Sequence, residues 1–350
     1  MRDVSVIVCT HRAERWPWLT ECLESLKQQS EAPLEVIVVV DGDPQLPSLL
    51  AARGGDEVVC ETGRPSGLSI ARNVGLTAAR GRYIAFLDDD AIADVDWLRE
   101  LRNAVSEPGI AGASGLSEPL WEGVAPRWLP GELYWSLGCS YVGMATQRAE
   151  VRNVFGGCAC FDRSLFERFG GFHPDLGRGH HNLAGCEETE FCVRVLHADP
   201  GLRFLHEPAA VIHHRVPKSR QRVRYVLRRC LAEGRSKAVF RVETAGFMDS
   251  LERERTYVTK TVTAALRREL GASVRGDLVA LERAGVLLTA VLCSATTFLM
   301  AGLRLRYSKK GRTDWVPLVL DPLVLVSHEP PDVTGEQSAA SSSETIDGSR

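Results

Sequence analysis

Three consecutive aspartates, Asp88-Asp89-Asp90, directly follow the apolar run at 83–87. At the end of a buried strand such carboxylates repel one another and lose hydration, and a divalent cation offsets both penalties. Their oxygens are hard ligands that suit Mg²⁺ or Mn²⁺. The alternative is an acidic turn that caps the next helix. Because open α/β sheets bind ligands at the carboxyl ends of their strands, we favour a metal site.

A second acidic pair, Glu187-Glu188, begins a predicted helix at 187–197. A carboxylate in a cleft can act as a general base. Helices also commonly begin with Glu, because a negative charge is stabilised at the helix N-terminus. Taken alone, the pair therefore favours a plain helix start, and only its context along the chain can argue for catalysis.

The first hundred residues contain the elements that would position the aspartates. Short apolar runs rich in β-branched residues alternate with stretches of helical spacing. Runs that are apolar without alternation predict parallel strands covered on both faces. The predicted strands are 4–9, 35–40, 58–59 and 83–87, and the predicted helices are 18–29, 69–79 and one that starts near Asp94. The pattern predicts an open α/β sheet over 1–105 with right-handed crossovers.

Beyond residue 105 the composition changes along the chain. Gly, Trp and Pro are frequent at first, a helical stretch follows, and the last residues are rich in Ser, Pro, Glu and Gly. Such a terminal composition cannot bury enough apolar surface to fold. We predict a region at 106–240 with strands at 153–161 and 208–214, a helical region at 241–328 with an apolar helix at 284–303, and a disordered tail at 329–350.

The composition excludes several classes of protein. The 42 Lys and Arg against 45 Asp and Glu give a net charge of -3 and a pI near 6.3, which argues against a protein that coats nucleic acid. The ten cysteines form no CxxC pair, so zinc-ribbon and thioredoxin-like sites lack support. The N-terminus carries no apolar signal segment. We therefore expect a cytoplasmic protein with free thiols.

A basic run at 215–241 holds ten Lys or Arg and one acid, Glu233. Three interpretations stay open: the run brackets a diphosphate, faces an anionic membrane surface, or is a solvated helix face. Its Gln221-Arg-Val-Arg224-Tyr225 segment is similar to a Q-x-x-R-W motif, with Tyr in place of Trp. Such a match arises easily by chance, so it carries little weight.

The apolar helix at 284–303 is long enough to span a bilayer, because twenty residues contain no charge. Five positive residues follow it within 304–312, and a single span would export them, against the positive-inside tendency. We therefore expect a helix that packs on the domain or lies at the membrane surface. A true span is the alternative.

An ordered set of segments resembles the inverting family 2 glycosyltransferases with the GT-A fold. The resemblance covers roughly residues 3–240 and implies an α/β GT-A domain at 1–240, with a nucleotide-binding half at 1–105, an acceptor half at 106–240 and a helical C-terminal appendage. The matching segments are 4–10, 35–41, 67–75, 83–90, Gly170-Gly-Phe172, 186–194 and 207–214.

The resemblance also implies roles for single residues. Nucleotide-sugar contacts would come from Thr10, Arg12, Asp41, Arg72, Asp88 and Asp89, and metal ligands from Asp90, Asp88 and His214. Glu188 would be the general base, where the family usually has Asp, and Glu187 would orient the acceptor or the helix start. A carboxylate at Asp41 suits the N3–H of uracil, which favours UDP. The metal would neutralise the departing diphosphate.

Two further groups lie between the aspartates and the acidic pair. His180-His181, in a Gly-rich loop, could touch an acceptor, and we do not count it as a metal site. Trp121, Trp128 and Trp135 could stack on sugar faces. Because Trp is also ordinary core material, we expect at least one of the three to be core.

The resemblance predicts metal-assisted, inverting transfer of a hexose, by default from UDP-glucose, to an acceptor hydroxyl, with Mg²⁺ or Mn²⁺ as cofactor. We expect single transfer to a natural product such as an aminocyclitol or other antibiotic scaffold, as in an actinobacterial-type glucosyltransferase. The first alternative is a polysaccharide or lipid glycosyltransferase at the membrane. The second is a nucleotidyltransferase or a degenerate nucleotide-sugar-binding module. A nucleotidyltransferase should carry a G-x-G-x-R loop after the first strand, where this chain has Cys9-Thr-His-Arg-Ala.

We expect no nucleic-acid partner. A peripheral contact with the inner face of the membrane, through 215–241 and 284–312, is the further expectation for location, because the basic run and the apolar helix together suit an anionic surface.

Overall fold

A computed structural model describes residues 2–179, 183–244 and 251–307 of the 350-residue chain. The predicted tail at 329–350, the stretch at 308–328 and the His180-His181 pair lie outside the described residues. In the described part, all ten cysteines are free thiols, as predicted.

The described strands form one mixed sheet in the order β3-β2-β1-β4-β8-β6-β9-β5, with β7 paired to β9. Strands β1 to β4 are parallel, β8 is antiparallel to β4, and β6 and β9 are parallel to each other. The strands are β1 Val4–Thr10, β2 Glu35–Val40, β3 Val58–Glu61, β4 Tyr83–Asp88, β5 Ala91–Ala93, β6 Ile110–Trp121, β7 Ala149–Val151, β8 Cys158–Asp162 and β9 Arg203–Val216.

Helices cover the sheet, and a further group of helices follows its last strand in the chain. Short 3₁₀ segments lie at Ala13–Arg15 and Gly131–Leu137, and a π-helical segment, Tyr257–Val262, joins α8 to α9. The helices are α1 Trp16–Lys27, α2 Leu46–Arg53, α3 Leu68–Ala78, α4 Trp97–Val105, α5 Ser164–Phe169, α6 Glu187–Ala198, α7 Val223–Glu243, α8 Glu252–Thr256, α9 Thr263–Val274 and α10 Leu278–Tyr307.

The register of the parallel strands brings their carboxyl ends to one edge. In β1, Cys9 pairs with Asp88 of β4 on one side, and Thr10 pairs with Val40 of β2 on the other. The short strand β5 then pairs with β9, which sets Ala91 opposite His214. This pairing explains how a histidine more than a hundred residues downstream reaches the aspartates.

Two apolar clusters fill the two faces of the sheet. One lies against α1 and α4 and includes Leu23 and Trp97. The other lies against α3 and α6 and is rich in aromatic rings, among them Phe86, Phe161 and Phe191. Since adjacent strand residues point to opposite faces, burial on both faces requires continuous apolar runs. The predicted parallel, doubly covered strands are thereby confirmed.

Several predicted boundaries were wrong. The strand expected at 153–161 begins only at Cys158, and the strand expected at 208–214 extends over the whole of β9. The basic run at 215–241 is not one helix, because β9 continues to Val216 and α7 begins at Val223. By contrast, the helix expected near Asp94 is present and begins at Trp97, three residues later.

The apolar helix lies within the longer α10, which packs along α7. A Cβ on Gly234 of α7 would lie 2.1 Å from the carbonyl oxygen of Ser294, so the two helices touch at their backbones. Leu287 and Ala290 are buried in the third apolar cluster, which also includes Val226 and Cys230 of α7. The predicted packing on the domain is therefore present along one side of α10.

The other side of α10 is apolar and exposed. The segment Leu278–Leu305 is long and apolar enough to cross a membrane, and only 11% of its apolar window is buried. The exposed leucines recur at helical spacing along one stripe, at positions 281, 288, 292, 299 and 303. Packing on the domain covers only one side of α10, so it does not explain why the other side is apolar.

Candidate active site

The structure brings the three predicted metal ligands together. Atoms of Asp88, Asp90 and His214 that can bind a metal all lie within 4.8 Å of one another. The His214 Nε2 is 3.3 Å from an Asp90 carboxylate oxygen and 3.8 Å from one of Asp88. Its ring is buried, neither nitrogen has a hydrogen-bond partner in the described residues, and burial lowers its pKa. A neutral imidazole and two carboxylates fit a small divalent cation.

Two arginines that the sequence did not single out also reach the aspartates. Arg15 pairs with Asp89 at 2.8 Å and also with Asp90, and Arg220 lies 3.0 Å from Asp90. Although burial alone would raise the pKa of Asp90, His214, Arg220 and Arg15 hold it below its usual range. For Asp89, burial prevails over Arg15 and raises the pKa to about 6. Of the two aspartates whose pKa values are shifted, Asp90 is therefore the one that is more readily ionised.

Of the predicted nucleotide contacts, Asp41 has a structural role that the sequence did not show. Its carboxylate accepts hydrogen bonds from the backbone of Ser66 and Gly67 and from the Thr62 hydroxyl, each at 2.8 Å. These bonds hold the loop between β3 and α3. Asp41 still lines the central cavity, as do Thr10 and Arg12, and a contact with uracil stays a prediction.

Arg72 links the aspartates to the acidic pair. Its guanidinium lies 3.0 Å from a Glu187 carboxylate oxygen, donates to the Gly156 carbonyl at 3.0 Å and is 3.8 Å from Asp88. It also packs over the Phe86 ring. Arg72 is only 3% exposed, which excludes a helix-surface role. A contact with the diphosphate stays a prediction.

The two glutamates of the pair differ in their surroundings. Glu187 is buried and held by Arg72, whereas Glu188 is half-buried and lines the cavity. Burial and the neighbouring Glu187 raise the pKa of Glu188 to about 8, against the opposing effect of Arg72. A carboxylate with a raised pKa in a cavity is suited to accept a proton. The two acids thus differ in their surroundings, and the roles that the resemblance implies for them stay predictions.

The residue before the pair has an unusual backbone. Cys186, the N-cap of α6, has φ 76° and is the only non-glycine with positive φ among the residues that the structure describes. Such a conformation costs on the order of 1–3 kcal/mol and is found where the surroundings over-determine it. It turns the chain abruptly into α6, so that Glu187 and Glu188 enter the cavity in the first turn.

A single cavity of about 1850 Å³ collects these groups. Every predicted site residue except His214 lines it, and His214 lies buried beside the aspartates. One wall requires glycine: a Cβ on Gly157 would lie 2.3 Å from an Asp88 carboxylate oxygen. Glycine at this position lets β8 begin directly against the metal motif.

A second charged cluster lines the same cavity near α8. Lys237 lies 2.8 Å from Glu254, which Arg152 also contacts at 2.9 Å, and 3.5 Å from Glu233. Burial would raise the pKa of Glu254, but Lys237 and Arg152 lower it to about 2. The sequence does not indicate this cluster, because its members lie far apart in the chain and belong to no motif. It fastens α8 to α7.

The three tryptophans all pack against the third apolar cluster. The expectation that at least one is core material is confirmed. Trp135 also lines the cavity, so sugar stacking there stays a prediction.

Comparisons with known proteins agree with this geometry. Residues 5–170 match the sequence profile of the family described as glycosyl transferase family 2. The glucosyl-dolichyl phosphate glucuronosyltransferase of Haloferax volcanii is 31% identical over 240 residues, which are 67% of this chain and 76% of that protein. The succinoglycan biosynthesis protein ExoM of Rhizobium meliloti is 28% identical over 67% of this chain and 73% of its own length.

A solved structure shares the architecture. The mannosyltransferase PcManGT of Pyrobaculum calidifontis, determined in complex with GDP-mannose and Mn²⁺, superimposes with a TM-score of 0.55 at 21% identity, over 88% of each chain. The predicted GT-A fold with a helical C-terminal extension is thereby confirmed.

Proposed function

Since the chain belongs to glycosyl transferase family 2 and is a glycosyltransferase, we propose that it transfers a hexose from a UDP-sugar to a lipid-linked or polysaccharide acceptor at a membrane. The observation that carries the proposal is one cavity that holds both a metal-ligand set and a carboxylate suited to be the base. The donor would occupy the half at 1–105, and the acceptor would enter from the half at 106–240.

The chain's own residues divide the work of an inverting displacement. Glu188 accepts the proton of the acceptor hydroxyl as that oxygen attacks the anomeric carbon. A single attack from the face opposite the leaving diphosphate inverts the configuration of that carbon. Arg72 holds the Glu187 carboxylate in place. Arg15 and Arg220 supply positive charge beside Asp90. A Mn²⁺ or Mg²⁺ ion held by Asp88, Asp90 and His214 would neutralise the diphosphate that leaves.

The donor would be UDP-glucose. Asp41 is fixed by three hydrogen bonds, and a carboxylate held in this way can receive the N3–H of uracil without reorganising. The structural neighbour bound GDP-mannose, so the nucleotide needs a direct test. UDP should bind more tightly than GDP in the presence of Mn²⁺.

The relatives favour the membrane alternative over a diffusible natural product. One is named for a dolichyl phosphate acceptor, and another for succinoglycan biosynthesis. The exposed leucine stripe of α10 adds a surface that a lipid interface would cover, next to a helix rich in Arg. We infer peripheral attachment on the cytoplasmic face, with the cavity beside the membrane.

A transfer assay with radiolabelled donors tests this function. The purified full chain is incubated with UDP-glucose, UDP-galactose and their N-acetyl forms, with Mn²⁺ or EDTA, and with either a membrane lipid extract or an aminocyclitol mixture. We expect metal-dependent UDP release and label in the lipid or polymer fraction. Label only in aminocyclitols would support the natural-product alternative, and no transfer from any UDP-sugar would contradict the proposal.

A further inference from the structure

Arg229 is a buried guanidinium for which the described residues provide no carboxylate partner. It lies on α7, lines the cavity and is 5% exposed. It donates to the Leu183 carbonyl, while its buried Nε has no hydrogen-bond partner within the described ranges. Burial and the neighbouring Arg178 lower its pKa; Glu233, one turn along α7, opposes them but forms no ion pair with it in the described residues. A buried charge left in this state is costly unless a ligand completes it.

The other buried cations of the cavity are matched by acids. Arg72 pairs with Glu187, Arg220 pairs with Asp90, and Lys237 pairs with Glu254. Each pair shows how this cavity normally compensates a buried positive charge. Arg229 has no such ion-pair partner among the described residues, and a negatively charged group on a substrate would compensate its charge in the same way.

The position of Arg229 separates it from the metal motif. It contacts the segment at 183–186, which leads directly into the acidic pair, whereas Arg15 and Arg220 contact Asp90. Arg178 also lines the cavity and acts electrostatically on both Asp90 and Arg229. An anion on Arg229 would therefore lie at the acidic-pair end of the cavity, where sugar and acceptor react.

We propose that Arg229, assisted by Arg178, binds an oxyanion carried by the transferred sugar or by the acceptor, distinct from the diphosphate of the donor. A uronate carboxylate on the donor sugar and a phosphate on the acceptor share this chemistry. The planar fork of Arg fits both. The inference rests on the proposed function, in that the cavity must bind a nucleotide-sugar.

Calorimetry with a matched donor pair tests the carboxylate source. UDP, UDP-glucose and UDP-glucuronate are titrated into the full chain with Mn²⁺, and the two sugars differ only in a carboxylate. We expect UDP-glucuronate to bind about 10-fold or more tightly than UDP-glucose, because a charged hydrogen bond contributes about 1.5–3 kcal/mol. In Arg229→Met this preference should vanish while UDP affinity is unchanged.

A second matched pair tests the phosphate source. Farnesyl phosphate and farnesol are compared for binding to the UDP-loaded protein. If the acceptor carries the oxyanion, the phosphate should bind about 10-fold or more tightly than the alcohol, again with the difference lost in Arg229→Met. The exposed Arg235 lies on the same helix outside the cavity, so Arg235→Met should change neither preference.

Three outcomes overturn the inference. One is that neither charged probe is preferred by the wild type. Another is that Arg229→Met weakens UDP itself by the same factor, which would place Arg229 at the diphosphate. The third is that Arg229→Gln, a neutral polar variant included in case the Met variant fails to fold, keeps the full preference. Failure of UDP to bind the wild type with Mn²⁺ would instead count against the proposed function.

Discussion

At the scale of single residues, one arginine gives two adjacent acids different properties. Arg72 reaches Glu187 at 3.0 Å, while Glu188 has a pKa raised to about 8. A carboxylate whose pKa is raised by burial and by a neighbouring acid is a candidate for proton transfer. The single methylene by which Glu188 exceeds the usual Asp leaves this electrostatic arrangement intact.

The base assignment is tested by the pair of amide variants. Glu188→Gln keeps the size of the side chain but cannot accept the proton, so kcat should fall by about 10²–10⁴-fold with UDP affinity almost unchanged. Glu187→Gln should lower kcat less, because it disturbs only the partner of Arg72. Steady-state transfer rates and calorimetry measure both. If Glu187→Gln is the inactive variant and Glu188→Gln the mild one, the base is Glu187.

The pH dependence of transfer follows from the same residue. The base works only when it is deprotonated, and the pKa of Glu188 is about 8. We therefore expect kcat/KM to rise as pH increases through about 8 and then to level off. A rate profile between pH 6 and about 9.5 measures the limb. A rate that is already flat from pH 6 upwards would show that Glu188 is ionised in the working enzyme or is not the base.

Metal removal tests the aspartate triplet. EDTA should abolish transfer, and Mn²⁺ or Mg²⁺ should restore it, because the cation would neutralise the leaving diphosphate and Arg15 and Arg220 are already paired with the aspartates. Asp90→Asn should lose most of the rate while the fold persists. Its melting temperature should fall somewhat, because Arg15 and Arg220 lose their carboxylate partner. The exposed Asp56→Asn is the matched control. Full activity in EDTA would exclude the metal assignment.

At the scale of secondary structure elements, the sequence predicted the strands whose side chains are apolar on both faces. β1, β2 and β4 are mostly apolar and rich in β-branched or aromatic residues, so their composition matches their surroundings. β6 was missed, because Ile-Ala-Gly-Ala-Ser-Gly contains mostly small residues. Its extended conformation comes from pairing with β8 and β9, and Gly115 lies so close to the Ala210 carbonyl that a side chain would not fit. Tertiary contacts of this kind override propensity.

The same difference explains which site residues were predicted. The aspartates end a strand, the acidic pair begins a helix and His214 ends an apolar run in the sequence, so their place in the chain order indicates a role. Arg15, Arg220 and Arg229 stand in no motif, and their significance depends on which carboxylates the fold sets beside them. Partner choice across distant segments cannot be derived from spacing.

The exposed stripe of α10 predicts how the chain binds lipid. Replacing Leu281, Leu288 and Leu292 with Gln should weaken binding to vesicles of phosphatidylcholine and phosphatidylglycerol by about 10²-fold or more, since each buried Leu contributes about 1.5–3 kcal/mol. These side chains are exposed, so melting temperature should hardly change. Co-sedimentation measures binding, and the exposed Val124→Gln is the control. Equal binding by the triple variant would contradict the membrane assignment.

At the scale of the whole molecule, the catalytic cavity depends on segments far apart in the chain. Its wall includes strand ends of the first hundred residues, the start of α6, the length of α7 and the turns around α8. Lys237, Glu254 and Arg152 join these parts by ion pairs. The helical C-terminal region therefore forms part of the cavity wall.

Two truncations of different length separate the structural part of that region from the tail. Ending the chain after residue 328 removes residues poor in apolar content, so kinetics and melting temperature should stay nearly unchanged. Ending it after Gly276 removes α10 and exposes Val226, Cys230 and the rest of the third apolar cluster. Losing several buried side chains, each contributing about 1.5–3 kcal/mol, is comparable with the whole stability of a domain, about 5–15 kcal/mol. The shorter chain should therefore aggregate or melt at least about 10 °C lower, as thermal scans and gel filtration would show. A soluble, active chain ending at Gly276 would contradict this structural role for α10. A large loss of activity or melting temperature in the chain that ends at residue 328 would show that the tail docks on the domain.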